Sequence, residues 1–499
     1  MNRAPHLLSF AAGFLSLSQE ILWIRLFGFA NESVPQALSF VLAAYLLGIA
    51  LGARIGKEAS TGTRNLWVVS GLVLTASGVF DLASPWLYGV VAHSAENWQK
   101  ACGGLLVMIT AALKAVVFPI AHHLGSDQTG NRVGRSMSRV YAFNIAGSAL
   151  GPIVTGFVLL DILTTQQCFA VVAVLGFFAG VLCLFKCWPA WRIAALGTAG
   201  IALCGLAWAL PDRLIHLVAT DAGTIKRIVE TRHGIVTIYD GGQSGDAVYG
   251  GNVYDGRANL DPVVNSNGID RLLILSALQD RPRRVLMIGL SIGSWLKLVT
   301  AFPGVEQIDI IEINPGYLGA MQDYPRQLSA LRDARVRLHI DDGRRWLKGQ
   351  PGARYDLVVV NTTWHWRVYA SSLLSREFLS EVKAHMAPGA ILAYNSTGSP
   401  DVLRTASAVF GNAYRYQGFV VASDHDFRPG LRTQAAFDRL QSLVLDGAPL
   451  FPPGSGKVIR SFLDRTFIDV AQEQAGHSRP LDIITDDNLL TEYRSGHRF

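Results

Sequence analysis

The sequence predicts a multi-span helical membrane domain followed by an α/β domain with a parallel sheet and a small β-rich segment before it. Half of the 499 residues are hydrophobic, and most of this apolar excess lies before Pro211. After Pro211 the composition is that of a globular protein, and short apolar runs alternate with helical patterns. The predicted parts are a membrane domain 1–210, a linker with the β-rich segment 211–282, an α/β core 283–430 and a C-terminal extension 431–499.

Seven apolar runs have the length of about 20 residues that a membrane-spanning helix needs. They cover approximately 7–29, 36–53, 66–92, 101–120, 140–160, 168–186 and 191–210. The first run has no small-residue cleavage site after it, so we expect a retained span rather than a signal peptide. Gln19, Glu20, Arg25 and Lys114 lie within the runs and are costly in lipid, so they should face the bundle interior or an interface. Glu20 and Arg25 could pair with each other, or they could form a site for a substrate or a lipid headgroup.

The distribution of positive charge predicts the orientation in the cell membrane. Loops on the N-terminal side carry most of the Lys and Arg residues, which puts the N-terminus in the cytoplasm. Seven spans would then place the C-terminal half outside, whereas a cofactor made in the cytoplasm requires this half to be inside. Either one of the seven segments does not cross, or the charge rule fails here, or this half does not use such a cofactor. We favour a miscounted or re-entrant segment and a cytoplasmic soluble domain. The net charge of +6 includes no basic tract, so we expect no nucleic-acid partner.

The stretch from Arg283 to Pro315 carries the most informative pattern. A strand-like run leads into Gly289, Ser291 and Gly293, a helical pattern follows, and a second strand-like run ends in Glu312. Glycines let the backbone approach a ligand closely, and an acid at the tip of the second strand can accept hydrogen bonds from ribose hydroxyls. The pattern therefore predicts a cofactor with an adenosine end.

Polar residues also follow the next two predicted strands. Asp342 and Gly343 come after one strand, and Asn361 and His365 come after the other. Ligands of parallel sheets bind at the carboxyl ends of the strands, so these residues should share a pocket with the glycine loop. No cluster of His and Cys residues indicates a metal site.

These motifs resemble the spermidine synthase family of polyamine aminopropyltransferases, within the wider class of Rossmann-like folds typical of S-adenosylmethionine-dependent methyltransferases. The resemblance covers about 225–425, and a span with Glu20 and Trp23-Ile24-Arg25 resembles the membrane-fused branch. It implies S-adenosylmethionine or its decarboxylated form as co-substrate, an amine acceptor, the lipid bilayer as partner and a homodimer as one option. It further implies that Glu312 holds the ribose, that Asp342 contacts the adenine, and that Gln243 lies near the entrance. Gly289, Ser291, Gly293 and Gly343 would complete the cofactor site.

The chain departs from the family where catalysis is expected. The family has Asp-Ser-Ser-Asp-Pro after the fourth strand, whereas this chain has Asn361 followed by Thr362, Thr363, Trp364 and His365. An amide cannot accept the proton that the Asp accepts. The family's Tyr-His-Glu element corresponds to Asn265-Ser266-Asn267, and Ile292 replaces the Asp of the glycine loop.

Other residues could take over the proton transfer or change the acceptor. We expect His365 to act as the base and Asn361 to line the reacting centre, and we name Asp240 as a further catalytic candidate, with Asp255 and Asp261 as remaining acids. Arg367 would suit an acceptor with a carboxylate or phosphate, such as a lipid headgroup.

The sequence thus favours a membrane-anchored transferase that moves an aminopropyl or other alkyl group to an amine or another nucleophile. A methyltransferase or a cofactor-cleaving enzyme would use the same cofactor pocket. A non-catalytic membrane protein with a degenerate nucleoside-binding domain is the third hypothesis.

Overall fold

The structure is a computed structural model that describes residues 3–126, 133–185, 187–220, 222–361, 364–488 and 490–494. The chain divides into two compact units. The first consists of Met1–Asp221 with Glu230–Arg232, and the second consists of Ala222–Val229 with His233–Phe499.

Seven helices of the first unit are long and apolar enough to cross a membrane. They are Ala4–Ala30, Pro35–Ser60, Leu66–Val91, Glu96–Gly125, Val133–Ile162, Thr165–Leu184 and Ala190–Ala209, and a short helix Leu214–Val218 follows. These seven helices confirm the predicted seven runs. The expected miscounted or re-entrant segment stays a prediction, because length and composition alone define these helices.

Small residues allow the helices to approach one another closely. A side chain at Gly48 or Gly52 would collide with the backbone of the helix Glu96–Gly125. A side chain at Gly147 or Gly151 would collide with the backbone of the helix Ala4–Ala30. The small residues spaced four apart therefore act in helix packing, which is their usual role in bundles of apolar helices.

A four-stranded sheet in the order β1-β2-β3-β4 follows the long helices, and all of it except Glu230 and Thr231 of β1 belongs to the second unit. Its strands are Ile225–Thr231, Gly234–Tyr239, Ala247–Gly250 and Val253–Arg257. The alternating pattern of residues 229–240 is typical of a single strand, but the structure forms two strands here. The chain turns at Arg232 and His233, and Gly234 takes a φ of 153° that favours glycine, so two strands form instead of one.

A seven-stranded sheet in the order β10-β11-β9-β8-β5-β6-β7 forms the centre of the second unit. The five strands β5 to β9 are parallel and confirm the predicted α/β fold. They are Arg284–Ile288, Gln307–Glu312, Val336–Ile340, Tyr355–Val360 and Met386–Asn395. The antiparallel strands β10 (Asn412–Tyr416) and β11 (Phe419–Ser423) form an edge that the sequence analysis did not predict.

Short helices and a small hairpin complete the second unit. The helices are Asp270–Leu278, Ser294–Val299, Gly316–Ala320, Pro325–Leu328, Gly343–Lys348, Arg376–Ala384, Pro400–Ser407, Gln434–Gln441, Gly456–Leu463 and Val470–Ala475. The hairpin consists of β12 (Val444–Leu445) and β13 (Ala448–Pro449).

The parallel strands are apolar on both faces because both faces of the sheet are covered. Val285 and Met287 of β5 belong to one apolar cluster, and Leu286 and Ile288 belong to the other. The chain proceeds from β5 through β6 to β7 on one side, and β8 then pairs with the other side of β5. The carboxyl ends of β5 and β8 therefore border the crevice in which such sheets bind ligands.

Candidate active site

The glycine loop after β5 has a backbone that only small residues can adopt. Gly289 has a φ of 96°, and a Cβ atom there would lie 2.5 Å from the backbone oxygen of Asn361. Gly293 has a φ of 79°, and a Cβ atom there would lie 2.5 Å from Cε of Met321. Ser291 also takes a positive φ, of 49°. The structure thus brings the glycine loop and Asn361 together.

Glu312 ends β6 and fixes the glycine loop. Its side chain is buried, and its two carboxylate oxygens accept hydrogen bonds of 2.8 Å from the backbone amides of Leu290 and Asn314. Each carboxylate oxygen has more than one lone pair, so ligand hydroxyls can still bind. Burial raises the pKa of Glu312 to about 7, and the nearby charge of Asp255 acts in the same direction.

Asp255 of β4 lies beside the same loop. The hydroxyl of Tyr317 donates a hydrogen bond of 2.7 Å to Oδ2 of Asp255, and Ser291 Oγ donates one of 3.3 Å to its backbone oxygen. Burial raises the pKa of Asp255, and the charge of Arg367 opposes this effect. An acid with a raised pKa is therefore present next to the predicted cofactor loop.

Asp342 and Gly343 follow β7, which pairs with β6 so that Ile340 lies opposite Glu312. Oδ1 of Asp342 accepts a hydrogen bond of 2.8 Å from the amide of Arg345 and caps the helix Gly343–Lys348. A Cβ atom at Gly343 would lie 2.5 Å from Cγ2 of Ile288, so this helix begins against the end of β5.

Asn361 follows β8, and its backbone amide donates a hydrogen bond of 2.8 Å to the backbone oxygen of Ile288. Thr362 and Thr363 lie outside the described residues. Trp364 is half-exposed, and its Nε1 donates a hydrogen bond of 3.3 Å to the backbone oxygen of Tyr254. The indole of Trp364 is thus hydrogen-bonded to Tyr254, the residue that precedes Asp255 in β4.

His365 is buried at the end of the same loop. Its Nδ1 lies 2.8 Å from Oγ1 and 2.9 Å from the backbone oxygen of Thr397. Burial lowers the pKa of His365, which favours a neutral ring. Within the described ranges no hydrogen bond joins His365 to Asp255 or Glu312, and its role as the base stays a prediction.

Asp240 and Gln243 lie on an exposed turn at the end of β2. Oδ1 of Asp240 lies 3.1 Å from Nζ of Lys226 and accepts a hydrogen bond of 3.1 Å from the amide of Gly242. Asp261 serves a turn of its own, where Oδ1 accepts a hydrogen bond of 2.7 Å from the amide of Val263. Of the three candidate acids in this region, Asp255 is the one that the structure joins to the glycine loop by hydrogen bonds.

Tyr317 is a site residue that the sequence analysis did not identify. It lies in the helix after β6, and no motif distinguishes it from a core aromatic residue. The three-dimensional structure is needed to identify it, because Asp255, which accepts its hydrogen bond, is 62 positions away in the sequence. In the described ranges no group of three or more His, Cys, Asp or Glu side chains could hold a metal ion.

Comparisons with known proteins agree with the motifs. Residues 273–406 match the family described as "Spermine/spermidine synthase domain". A polyamine aminopropyltransferase of Mycobacterium tuberculosis is 26% identical over 512 residues, with 97% of this chain and 95% of the relative covered. Polyamine aminopropyltransferase 2 of Streptomyces coelicolor is 25% identical over 403 residues, with 73% of this chain and 68% of the relative covered.

A spermidine synthase of Solanum lycopersicum is 35% identical over 112 residues, which are 22% of this chain and 32% of the relative. The similarity to the Mycobacterium protein includes the helical unit as well as the α/β unit, since it covers nearly the whole chain. The resemblance inferred from the sequence is therefore confirmed: residues 273–406 match the spermine/spermidine synthase family, and the chain is similar over nearly its whole length to a polyamine aminopropyltransferase.

Proposed function

We propose that this chain is a membrane-anchored aminopropyltransferase. It would bind decarboxylated S-adenosylmethionine at the carboxyl ends of β5 to β8 and transfer the aminopropyl group to an amine. The observation that carries the proposal is the buried Glu312 carboxylate. It accepts a hydrogen bond from the glycine-loop amide of Leu290, and it lies near the acid Asp255. The relatives named polyamine aminopropyltransferase support the nature of the transferred group.

The residues at the strand ends fit the adenosine end of this substrate. Glu312 would accept the ribose hydroxyls with its remaining lone pairs, and Asp342 would contact the adenine amino group. Gly289, Ser291 and Gly293 would let the loop backbone lie against the ligand. Gln243 lies on an exposed turn, so its place near the entrance stays a prediction.

The reaction would be an in-line displacement at the carbon next to the sulfonium. The amine nitrogen forms a bond to this carbon while the carbon–sulfur bond breaks, and methylthioadenosine leaves with the electron pair. Only a neutral amine can attack, so the ammonium form of the acceptor first loses one proton. We assign the acceptance of this proton to Asp255, because Tyr317 holds it beside the loop and its pKa is raised.

The other catalytic candidates would have smaller roles. Asn361 borders the glycine loop and can orient the amine through its side-chain oxygen, although an amide does not take up a proton. His365 would hold the loop after β8 in place through Thr397, and its action as the base is the second candidate mechanism. Asp240 is paired with Lys226 and is the third candidate.

The acceptor is an amine in this proposal because the site offers a carboxylate and aromatic faces. Asp255 can bind an ammonium group, and Trp364 and Tyr254 are both 37% exposed. Arg367 lies within electrostatic reach of Asp255 and reduces the negative charge there. An acceptor with an anionic headgroup would use Arg367 instead.

Turnover by the full-length protein in detergent tests the proposal. We expect methylthioadenosine and an aminopropylated product from decarboxylated S-adenosylmethionine and 1,4-diaminobutane, measured by mass spectrometry. S-adenosylhomocysteine formed from S-adenosylmethionine would indicate a methyltransferase, and methylthioadenosine formed without an acceptor would indicate a cofactor-cleaving enzyme. Nucleoside binding without any turnover would indicate the non-catalytic protein. Asp255→Asn should reduce turnover at least tenfold while nucleoside binding stays within about twofold.

The proposal places the seven long helices in the cell membrane and the α/β unit in the cytoplasm, where the substrate would be available. A pair of reporters fused after Phe499 tests this orientation. β-Galactosidase should be active and alkaline phosphatase inactive. The opposite result would agree with the charge bias of the loops and would exclude the use of a cytoplasmic substrate.

A further inference from the structure

A short helical turn near the end of the chain, Leu490–Tyr493, packs against the turn Ala370–Leu373 that follows β8. Glu492 is 4% exposed, and Ser371 is fully buried. The Ser371 hydroxyl donates a hydrogen bond of 2.6 Å to Oε1 of Glu492, and the Ser371 backbone amide donates one of 3.3 Å to the same oxygen. A carboxylate 121 positions away in the sequence therefore holds this turn.

The Glu492 carboxylate depends on these donors in return. Burial raises the pKa of Glu492, whereas the hydrogen bonds from Ser371 and from the backbone amide of Tyr369 act in the opposite direction. Over the described part of the chain Glu492 forms no ion pair. A buried carboxylate needs hydrogen-bond donors or a cation, and here the donors belong to the turn after β8. Carboxylate and turn thus stabilise each other.

The backbone of this turn is strained at Tyr369. Its φ is 63°, a left-handed conformation that is unfavourable for a bulky residue. The side chain is 72% exposed, so packing of the ring contributes little to holding this conformation. Strained residues persist where their surroundings fix them, and they are frequent at functional sites. The hydrogen bonds to Glu492 supply this fixation on the two sides of the turn, at Tyr369 and at Ser371.

The same turn continues into the candidate active site. The amide of Ala370 donates a hydrogen bond of 3.1 Å to the backbone oxygen of Arg367, and the amide of Arg367 donates one of 3.1 Å to that of Trp364. The Trp364 indole in turn donates to Tyr254, beside the proposed proton acceptor. Successive backbone turns therefore connect Ser371 with the aromatic side chain at the site.

Thr491, the residue before Glu492, holds the neighbouring loop after β9. The hydroxyls of Thr491 and Ser399 share a hydrogen bond of 2.9 Å, and both residues are at most 5% exposed. Two positions earlier in that loop, Oγ1 of Thr397 lies 2.8 Å from Nδ1 of His365. Two adjacent residues thus contact the loops after β8 and β9, and these loops also contact each other through His365.

Ion pairs fix the segment that carries these two residues. Arg479 lies 2.7 Å from Oδ2 of the buried Asp401, and Arg494 lies 3.7 Å from the same oxygen. Arg344, in the helix after β7, donates a hydrogen bond of 2.8 Å to Oδ1 of Asp486. The segment is therefore attached to the α/β core on both sides of Thr491 and Glu492, which gives their side chains a fixed place.

We propose that Thr491 and Glu492 form a C-terminal latch, which positions residues 364–374 for binding the acceptor amine. Both are positioning residues: Glu492 acts through Ser371, Thr491 acts through Ser399, and Trp364 is the side chain that they place. This inference rests on the proposed function, because it assigns the positioned loop to the acceptor. The latch has no hydrogen bond to Glu312 or to the glycine loop among the described residues, so nucleoside binding should not depend on it.

Hydrogen-exchange mass spectrometry of the full-length protein in detergent tests whether the latch holds the loop. In Glu492→Ala we expect the amides of residues 367–374 to exchange at least about tenfold faster than in wild type. Ser371→Ala removes one donor only and should give a smaller acceleration, which provides a milder variant. Glu306→Ala is the control, because this Glu is 57% exposed and lies before β6, away from the carboxyl ends of the strands. Its exchange at residues 367–374 should match that of wild type.

Steady-state kinetics test whether the loop serves the acceptor. For 1,4-diaminobutane, Glu492→Ala should raise KM at least about tenfold and change kcat less than about threefold. Affinity for methylthioadenosine should stay within about twofold. Glu492→Gln should keep KM within about threefold of wild type, since its amide oxygen accepts the same hydrogen bonds. Adding Ser371→Ala to Glu492→Ala should change KM less than about twofold further, because both residues act through one contact.

Three results would overturn the latch. The first is unchanged exchange at residues 367–374 in Glu492→Ala, and the second is faster exchange with an unchanged KM, which would indicate a purely structural anchor. The third is a rise in KM in which the effects of Ser371→Ala and Glu492→Ala are independent of each other. Absence of turnover in the unsubstituted protein would contradict the proposed function, and the exchange result alone would then decide whether Glu492 holds the loop.

Discussion

Two buried carboxylates, Glu312 in the α/β unit and Asp81 in the helical unit, are stabilised in different ways. Glu312 accepts hydrogen bonds from backbone amides at both of its oxygens. Asp81 has a full positive charge beside it, because Lys114 lies 2.6 Å away. One carboxylate thus depends on the course of the backbone and the other on side chains, those of Lys114 and Ser77.

The difference explains what each carboxylate can do. Backbone amides carry no net charge, so Glu312 can exchange protons and ligands without leaving a buried cation behind. Lys114 is a buried charge in its own right, so removing either member of its pair leaves an uncompensated ion. The Asp81 pair is therefore costly to break, whereas the surroundings of Glu312 suit repeated ligand exchange.

The largest effect that we predict concerns the ion pair. Lys114→Met should lower the free energy of unfolding by about 3–5 kcal/mol, because Asp81 is left buried without its cation. Thermal unfolding of the full-length protein in detergent measures this. The double variant Lys114→Met with Asp81→Leu should recover most of the loss. A single variant as stable as wild type would mean that Asp81 is solvated in another way.

The next effect concerns the backbone that Glu312 holds. Gly289→Ala should weaken methylthioadenosine binding about tenfold to a hundredfold, because the residue has a φ of 96° and the new Cβ would meet the Asn361 backbone. Isothermal titration calorimetry measures the affinity. Gly352→Ala is the control, since its Cβ would meet no atom within 4 Å. Equal affinities for the two variants would argue against nucleoside binding at this loop.

The sequence predicted the parts of the fold that have a regular apolar pattern. The seven long helices and the strands β5 to β9 are runs of apolar residues. Burial on both faces of the sheet explains the pattern of the strands, and the length of the helical runs is that needed to cross a bilayer. The edge hairpin of β10 and β11 was not predicted because Arg415 and other polar residues interrupt it. Its turn uses Gln417 with a φ of 53°, and Gln is not a residue that signals such a turn.

The site was predictable where its parts are close in sequence. The glycine loop and Glu312 belong to one strand–turn–helix–strand unit, so a local pattern was sufficient. The pair of Asp255 and Tyr317 depends on how β4 lies against the helix after β6, and no local pattern encodes this. Asp255 appeared among three candidate acids, and geometry was needed to distinguish it from Asp240.

A smaller effect should follow from pH. Burial raises the pKa of Glu312 to about 7, and the ribose hydroxyls need the ionised carboxylate as acceptor. Affinity for methylthioadenosine should therefore rise with pH, by at most about tenfold per pH unit below pH 7, and level off above it. Titrations between pH 5.5 and 8.5 measure this. Glu312→Gln should bind weakly at every pH, and a wild-type affinity independent of pH would contradict the role of Glu312.

The smallest effect distinguishes the two acids of the β-rich segment. Asp240 is half-exposed and lies 3.1 Å from Lys226, so solvent screens its charge from the site. Asp240→Asn should therefore change turnover less than twofold, whereas Asp255→Asn reduces it at least tenfold. Both variants keep the size of the side chain and differ from wild type by one charge, which makes them matched. If Asp240→Asn proved the more damaging of the two, the proton acceptor would lie at the exposed turn rather than beside Glu312.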